Sequence, residues 1–335
     1  MSRPVKATRV AHLALSRFTD VQEDEDVLII TDESGIEENG AIVDALFSLA
    51  TQMGANPTTM VIEDATPGAA QEHLPEAAKA AMETTDVLIG ITLTTHASVT
   101  HHEFPDGLRE EGKLRSLVMA KRDYDVLTHR FTLEPDHDRI LDIRAAISER
   151  FHNGTEVHLT SQAGMDVTMR IDELGAPHGG GAYPREPGGF SVISWGEHGQ
   201  APNAGSAEGT FVIDGPVQEF GWPEDPLEIE VENGRITHLE GTGQIARELN
   251  RLLAEKENAD NIAEIALGTN PIQTNLRGAN IVKNTLGTAH TAMGSGAAYG
   301  QGVSSPVHLD LIMVEPTVAV DGEVLVEDGE FQLDI

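Results

Sequence analysis

Residues 26–32 read DVLIITD, a run of β-branched and aliphatic residues closed by an acid, and the periodicity of the segments after this run decides the fold. Residues 40–53 (GAIVDALFSLATQM) place apolar side chains at helical spacing, and residues 58–63 (TTMVIE) return to a strand pattern. The cycle repeats, with 70–82 reading as helix and 86–92 (DVLIGIT) and 114–120 (LRSLVMA) as strands. Strands that are apolar on both faces and separated by helices imply a parallel sheet covered on two sides. The expected class is therefore α/β, with an N-terminal doubly wound parallel-sheet domain over residues 1–150 that ends in a helix at 136–151. A dinucleotide site at the first turn would need a glycine fingerprint. The segment after the first strand reads TDESGIEENG (31–40) and is expected as a loop; its two glycines are wrongly spaced and its four acids would repel a pyrophosphate.

After residue 150 the texture changes. Short strand patterns at 157–160, 166–171, 190–194, 210–213 and 227–232 are separated by turn formers, and one clear helix is expected at 243–257. The second domain, 151–335, is thus expected to be α+β. The stretch Gly175–Gly189 (GAPHGGGAYPREPGG) reads as a lid or a long surface loop.

Across the chain as a whole, 55 acidic residues against 22 basic ones among 335 give a formal charge of −33. Such a surface repels nucleic acid and anionic lipid, which argues against both as partners. Disorder is the other reading of high charge, but 39% hydrophobic residues can support a core. Lys supplies only 6 of the basic residues and the acids are spread along the chain, a pattern suited to a halophilic cytoplasm where salt screens charge over about 3 Å. Cysteine is absent, which excludes disulfides, thiolate metal sites and a Cys nucleophile. Any metal must be held by His and carboxylates. No apolar stretch matches a signal peptide or membrane span, so a cytoplasmic location is expected.

The C-terminal third concentrates chemistry. In PVHLDLI (306–312), His308 and Asp310 stand two apart in a strand pattern and so project from one face, suitable ligands for Zn²⁺, Mn²⁺, Co²⁺ or Fe²⁺. In LGTAHTAMG (286–294), His290 lies among small residues that allow close approach. In NIAEIALGTNP (261–271), Glu264 is flanked by apolar residues and is costly to bury unless paired or bound to a cation. In WGEHGQAP (195–202), Glu197 lies in a turn-rich segment.

In this order, the four segments resemble the metal-dependent aminopeptidase T and aminopeptidase S family, the thermophilic leucyl aminopeptidases, whose related branch includes 2,5-dihydroxypyridine 5,6-dioxygenase. The resemblance extends to DVLIITD, GANPTTMVIED and GSAEGTFVIDG. It implies a homodimer in which Glu197, Glu264, His290, His308 and Asp310 hold two divalent ions (Zn, Co or Mn). Catalytic roles would fall to Glu197, Glu264 and Tyr299, although Tyr299 stands two residues later than the family pattern. The implied activity is release of N-terminal residues from peptides by a metal-activated water. Two departures stand out: Gly196-Glu197 replaces a pair of glutamates, and Val282-Lys283-Asn284 replaces acids before the His290 block. The dioxygenase branch implies instead a single Fe(II) on His290, His308 and Asp310, ring cleavage of a hydroxylated pyridine or similar aromatic, and supporting roles for His101, His178 and His198. Five candidate ligands exceed what one Fe(II) needs, which favours the hydrolase.

Overall fold

A computed structural model describes residues 2–65, 74–94, 103–173, 183–193, 196–275 and 277–335. The chain forms two compact units, 1–134 with 180–195, and 135–179 with 196–335.

In the first unit, helix α1 (Arg3–His12) precedes β1 (Asp26–Asp32), which is buried at every position except Asp26. It is buried because it is central: it pairs in parallel with β2 (Asn56–Ile62) on one side and β3 (Val87–Gly90) on the other, and β4 (Arg115–Val118) continues from β3. Between the strands run α2 (Glu33–Gln52), α3 (Glu76–Met82) and α4 (Glu103–Glu110). Leu28 and Ile30 of β1 pack with Ala78 and Met82 of α3 and Leu108 of α4. Helix α2 packs on β1 and β2 with its Ile42 and Leu46 outside that cluster, so it covers the opposite face. The expected helix at 70–82 is seen from Glu76; residues 70–73 lie outside the described residues.

The segment TDESGIEENG is not a loop, because α2 starts at Glu33 directly after β1. Asp32 makes this abrupt start possible. Its buried carboxylate accepts from the Gly35 amide at 2.8 Å, capping the helix, and from the Leu93 and Thr94 amides at 2.8 and 2.7 Å, tying β1 to the end of β3. A carboxylate thus fills the helix N-terminus that a phosphate would use in a nucleotide-binding fold.

The boundary expected at residue 150 falls elsewhere. Helix α5 (His137–Asn153) belongs to the second unit, since its apolar stripe of Ile143, Ile147 and Phe151 is buried in that unit's core. After α5 the chain forms β5 (Glu156–Thr160) and β6 (Asp166–Arg170), then comes back to the first unit as β7 (Phe190–Val192). The expected strand at 190–194 therefore does not extend the second domain; it pairs in parallel with β4 and completes the order β2-β1-β3-β4-β7. Of the Gly175–Gly189 stretch, residues up to 182 lie outside the described residues, and Tyr183 packs edge-on against Phe18 at 5.2 Å.

The second unit continues with β8 (Glu197–Gln200), β9 (Glu208–Ile213), β10 (Leu227–Glu232), β11 (Arg235–Glu240), α6 (Gly243–Glu255), β12 (Ile262–Gly268), β13 (Ala289–Gly294), β14 (His308–Met313), β15 (Thr317–Val320), β16 (Glu323–Glu327) and β17 (Glu330–Phe331). Eight of its strands form an antiparallel sheet in the order β11-β10-β9-β6-β5-β15-β16-β17, and four form a second antiparallel sheet, β14-β13-β12-β8. The alternation of β10, buried at Leu227, Ile229 and Val231 and exposed at the three glutamates between and after them, is that of a sheet with one face in the core. No helix among the described residues is long and apolar enough to cross a membrane.

Candidate metal centre

The four-stranded sheet turns the sequence motifs into a site. Residues directly opposite one another in an antiparallel pair share a face. The register sets Glu197 opposite Gly268, Gly199 opposite Ala266, Ala266 opposite His290, Glu264 opposite Ala292, Ala292 opposite Asp310 and Gly294 opposite His308. Glu197, Glu264, His290, His308 and Asp310 therefore lie on a single face, with Gly199, Ala266, Ala292 and Gly294 between them. Small residues leave room for functional side chains there. The alternate positions, Ile265, Leu267, Ala289, Met293, Leu309, Leu311 and Met313, point the other way into the apolar core. Polar braces fix the strand ends: Asn261 Nδ2 donates to the Gly294 carbonyl and to Gln301 Oε1, each at 2.8 Å, and Gln301 Nε2 donates to the Ile262 carbonyl at 2.8 Å.

The expected ligands meet in space. His308 Nε2 lies 3.4 Å from Glu264 Oε2 and 3.4 Å from Asp310 Oδ1, and His290 Nε2 lies 3.5 Å from Glu264 Oε1. His308 Nδ1 donates to the Ser295 carbonyl at 2.8 Å, which fixes the ring and leaves Nε2 as the atom offered to the site. Glu264, His308 and Asp310 present donor atoms that all fall within 4.8 Å of one another. Asp310 Oδ1 and both ring nitrogens of His290 are buried without a hydrogen-bond partner among the described residues. A pre-oriented imidazole, two buried carboxylates and unpartnered donors fit a divalent cation.

The electrostatics have the same cause. Burial alone would lower the His308 pKa, but the neighbouring carboxylates of Asp310 and Glu264 push it up to about 10. His290 is likewise raised, with burial opposed chiefly by Glu264. Burial disfavours the Asp310 carboxylate, yet Lys283 and then His308 hold it well below the usual carboxylate range. Tyr299 ends a short helical turn, Ala297–Tyr299, with its ring 5.6 Å from that of His308. Its hydroxyl is pushed far above the ordinary tyrosine value by burial, then by the charges of Glu264, Asp310 and Glu197. The two-residue offset in sequence thus does not keep Tyr299 from the site.

Sequence reasoning missed Lys283 as a member of this centre, having noted it only where acids were expected. Its Nζ lies 2.8 Å from Asp310 Oδ2 and 3.0 Å from Glu197 Oε2. Burial works against its charge, but Asp310, Glu197 and Glu264 raise its pKa. Arg144 of α5 is also close enough to feel Glu197, and burial lowers its pKa to about 10. Glu197 is therefore shared with a lysine, which weakens the count of five free ligands. Gly196 explains the missing neighbouring glutamate: its φ is +142°, and a Cβ would stand 2.7 Å from Asn270 Cβ and 2.9 Å from the Asn284 carbonyl. His198 is not a supporting group of the centre. It lies on the opposite face from Glu197 because strand neighbours alternate, and its ring meets Phe151 edge-on at 6.0 Å. His101 and His178 lie outside the described residues.

Fold and site together define an α/β chain with a buried carboxylate and imidazole centre on a small antiparallel sheet. The family of 2,5-dihydroxypyridine 5,6-dioxygenase matches residues 9–333, and the chain belongs to that family. A solved 2,5-dihydroxypyridine dioxygenase from Pseudomonas putida KT2440 is similar over 100% of this chain and 99% of its own, with a TM-score of 0.80 and 20% identity. AmpT from Thermus thermophilus is similar over 99% of this chain and 100% of its own, with a TM-score of 0.70 and 16% identity. At these identities the two structures establish the common fold. None of the curated proteins matches the chain.

Proposed function

We propose that the chain is a metal-dependent oxygenase that opens the ring of a hydroxylated pyridine or similar hydroxylated aromatic at a single Fe(II). The observation that carries this reading is the compact group of Glu264, His308 and Asp310, sized for one ion, in a chain of the dioxygenase family. Those three residues would hold the ion, with His290 beside Glu264. A ferrous ion bound there supplies the electron exchange that lets dioxygen react with a closed-shell ring. The protein does the rest. Glu264 and Asp310 provide negative charge in a site that burial keeps from bulk water, where charge acts over a low dielectric. The Ser295 carbonyl orients His308. Tyr299, kept protonated by its surroundings, can give a hydrogen bond or a proton to an oxygen of the substrate.

The test is metal content and reaction together. Protein purified without chelator and reconstituted anaerobically with Fe(II) is expected to retain one iron per chain and to take up O₂ when given 2,5-dihydroxypyridine. Release of the amine from leucyl anilide with Zn²⁺, Co²⁺ or Mn²⁺, without O₂ uptake on the hydroxypyridine, would establish the aminopeptidase reading that the AmpT likeness supports.

A further inference from the structure

A buried lysine is an odd neighbour for a metal ion, and its placement is specific. Lys283 follows the helical turn Ala279–Val282, and its ammonium reaches between two carboxylates from different strands, Glu197 of β8 and Asp310 of β14, at 3.0 and 2.8 Å. The two oxygens of Asp310 are divided: Oδ2 meets the lysine and Oδ1 faces His308. Glu197 Oε2, besides meeting the lysine, is 3.9 Å from His290 Nε2. Two carboxylates and an imidazole around one cation form the kind of shell that a second divalent ion would occupy. We infer that Lys283 is a built-in counter-cation that takes the place of a second divalent ion and so limits the centre to one.

This inference rests on the reading of Glu264, His308 and Asp310 as a metal site. Charge supports it. Two buried carboxylates, Glu264 and Asp310, and the partly exposed Glu197 are balanced by one dication and one ammonium. A second dication would have to share Glu197 and Asp310 with the ammonium, at hydrogen-bond distance from both, and like charges at such a separation repel strongly away from water. Lys283 would then select against chemistry that needs a pair of ions, without touching substrate. It acts as a positioning residue, through Glu197 and Asp310.

Ion counting tests this without measuring turnover. Metal analysis after equilibrium dialysis, with calorimetric titration by Zn²⁺ and Mn²⁺, is expected to give one ion per chain for the wild type and for Lys283→Arg. Lys283→Met is expected to take up two, the second being lost again in the double variant Lys283→Met with Glu197→Gln. Two ions in the wild type, or one in a folded Lys283→Met chain, would overturn the role of Lys283 while leaving the metal centre intact. If Lys283→Met requires metal to fold, the count is made after refolding in excess Zn²⁺: two ions support the inference and one overturns it. No uptake by any of these chains would instead overturn the metal centre, and the inference with it.

Discussion

Tyr299 and His308 stand side by side at the centre, with their rings 5.6 Å apart, yet the geometry gives them different work. His308 offers Nε2 to the ligand group, while Tyr299 carries a hydroxyl that stays protonated through the working pH range because burial and three carboxylates oppose its ionisation. Substituting each is expected to separate binding from chemistry. His308→Ala should release the metal on dialysis, since the remaining carboxylates lose their imidazole partner and Asp310 stays paired with Lys283. Tyr299→Phe should keep the wild-type metal content and lower kcat on the ring substrate by about 10²-fold, a typical loss for one proton-transfer group. Metal analysis beside steady-state kinetics checks both; full turnover in Tyr299→Phe would remove that hydroxyl from the reaction. The same residues show what a sequence can reveal. Glu264 stood out because a carboxylate inside an apolar strand requires a partner. Lys283 did not, because its partners Glu197 and Asp310 lie on strands β8 and β14, far away in sequence, and only the fold brings them to its ammonium.

Among the strands and helices, legibility followed length and burial. Strand β1 has six consecutive buried residues, and its pattern marked the sheet at once. Strand β7 has three residues, and its short pattern marks a strand without saying which sheet it joins; the edge of β4 receives it. Helix α2 began earlier than periodicity indicated because Asp32 caps it locally at the Gly35 amide and is itself held by the Leu93 and Thr94 amides, a tertiary tie that hydrophobic periodicity does not report. Another such tertiary link, between Glu25 and Arg115, lends itself to a pH test. Glu25 precedes β1, and both its oxygens accept from the Arg115 guanidinium of β4, at 2.8 and 2.7 Å. Partial burial disfavours the Glu25 carboxylate, but the Arg115 hydrogen bonds, the Gln22 amide and the charge of Arg115 outweigh it, so its pKa is lowered in the fold. A lowered pKa means that the unfolded state binds the proton more tightly. The stabilisation is therefore fully present above the unfolded glutamate pKa of about 4.3 and is lost as pH falls through the lower folded value. Glu25→Gln is expected to lower the melting temperature at pH 7 by about 1–2 °C, about 1 kcal/mol, with the difference shrinking below pH 4. Thermal melts of both proteins across pH 3–7 check this, and a constant difference would show that charge is not the cause.

Over the entire surface, the charge of −33 sets how the fold responds to its solvent. The carboxylates of the metal centre are compensated from within, by histidines and a lysine, so they contribute little to the outward field. The excess lies on surfaces such as that of β10 and β11, where Glu228 and Glu240 are exposed directly opposite each other. Like charges so placed are destabilising, and at 0.1 M salt the screening length of about 10 Å lets each acid feel several neighbours. At 1 M the length falls to about 3 Å, and only direct contacts remain. We propose that this surface is an adaptation to concentrated salt, and the expected signature is a melting temperature that rises by about 10 °C or more between 0.1 and 2 M KCl, equivalent to about 7 kcal/mol for a chain of this size. Most of the rise should come below 1 M, where screening changes fastest, and Glu228→Gln should reduce the low-salt deficit while leaving the high-salt melting temperature unchanged. A melting temperature flat in KCl would mean that the acids repel too weakly to matter, and would disconnect the composition from the solvent.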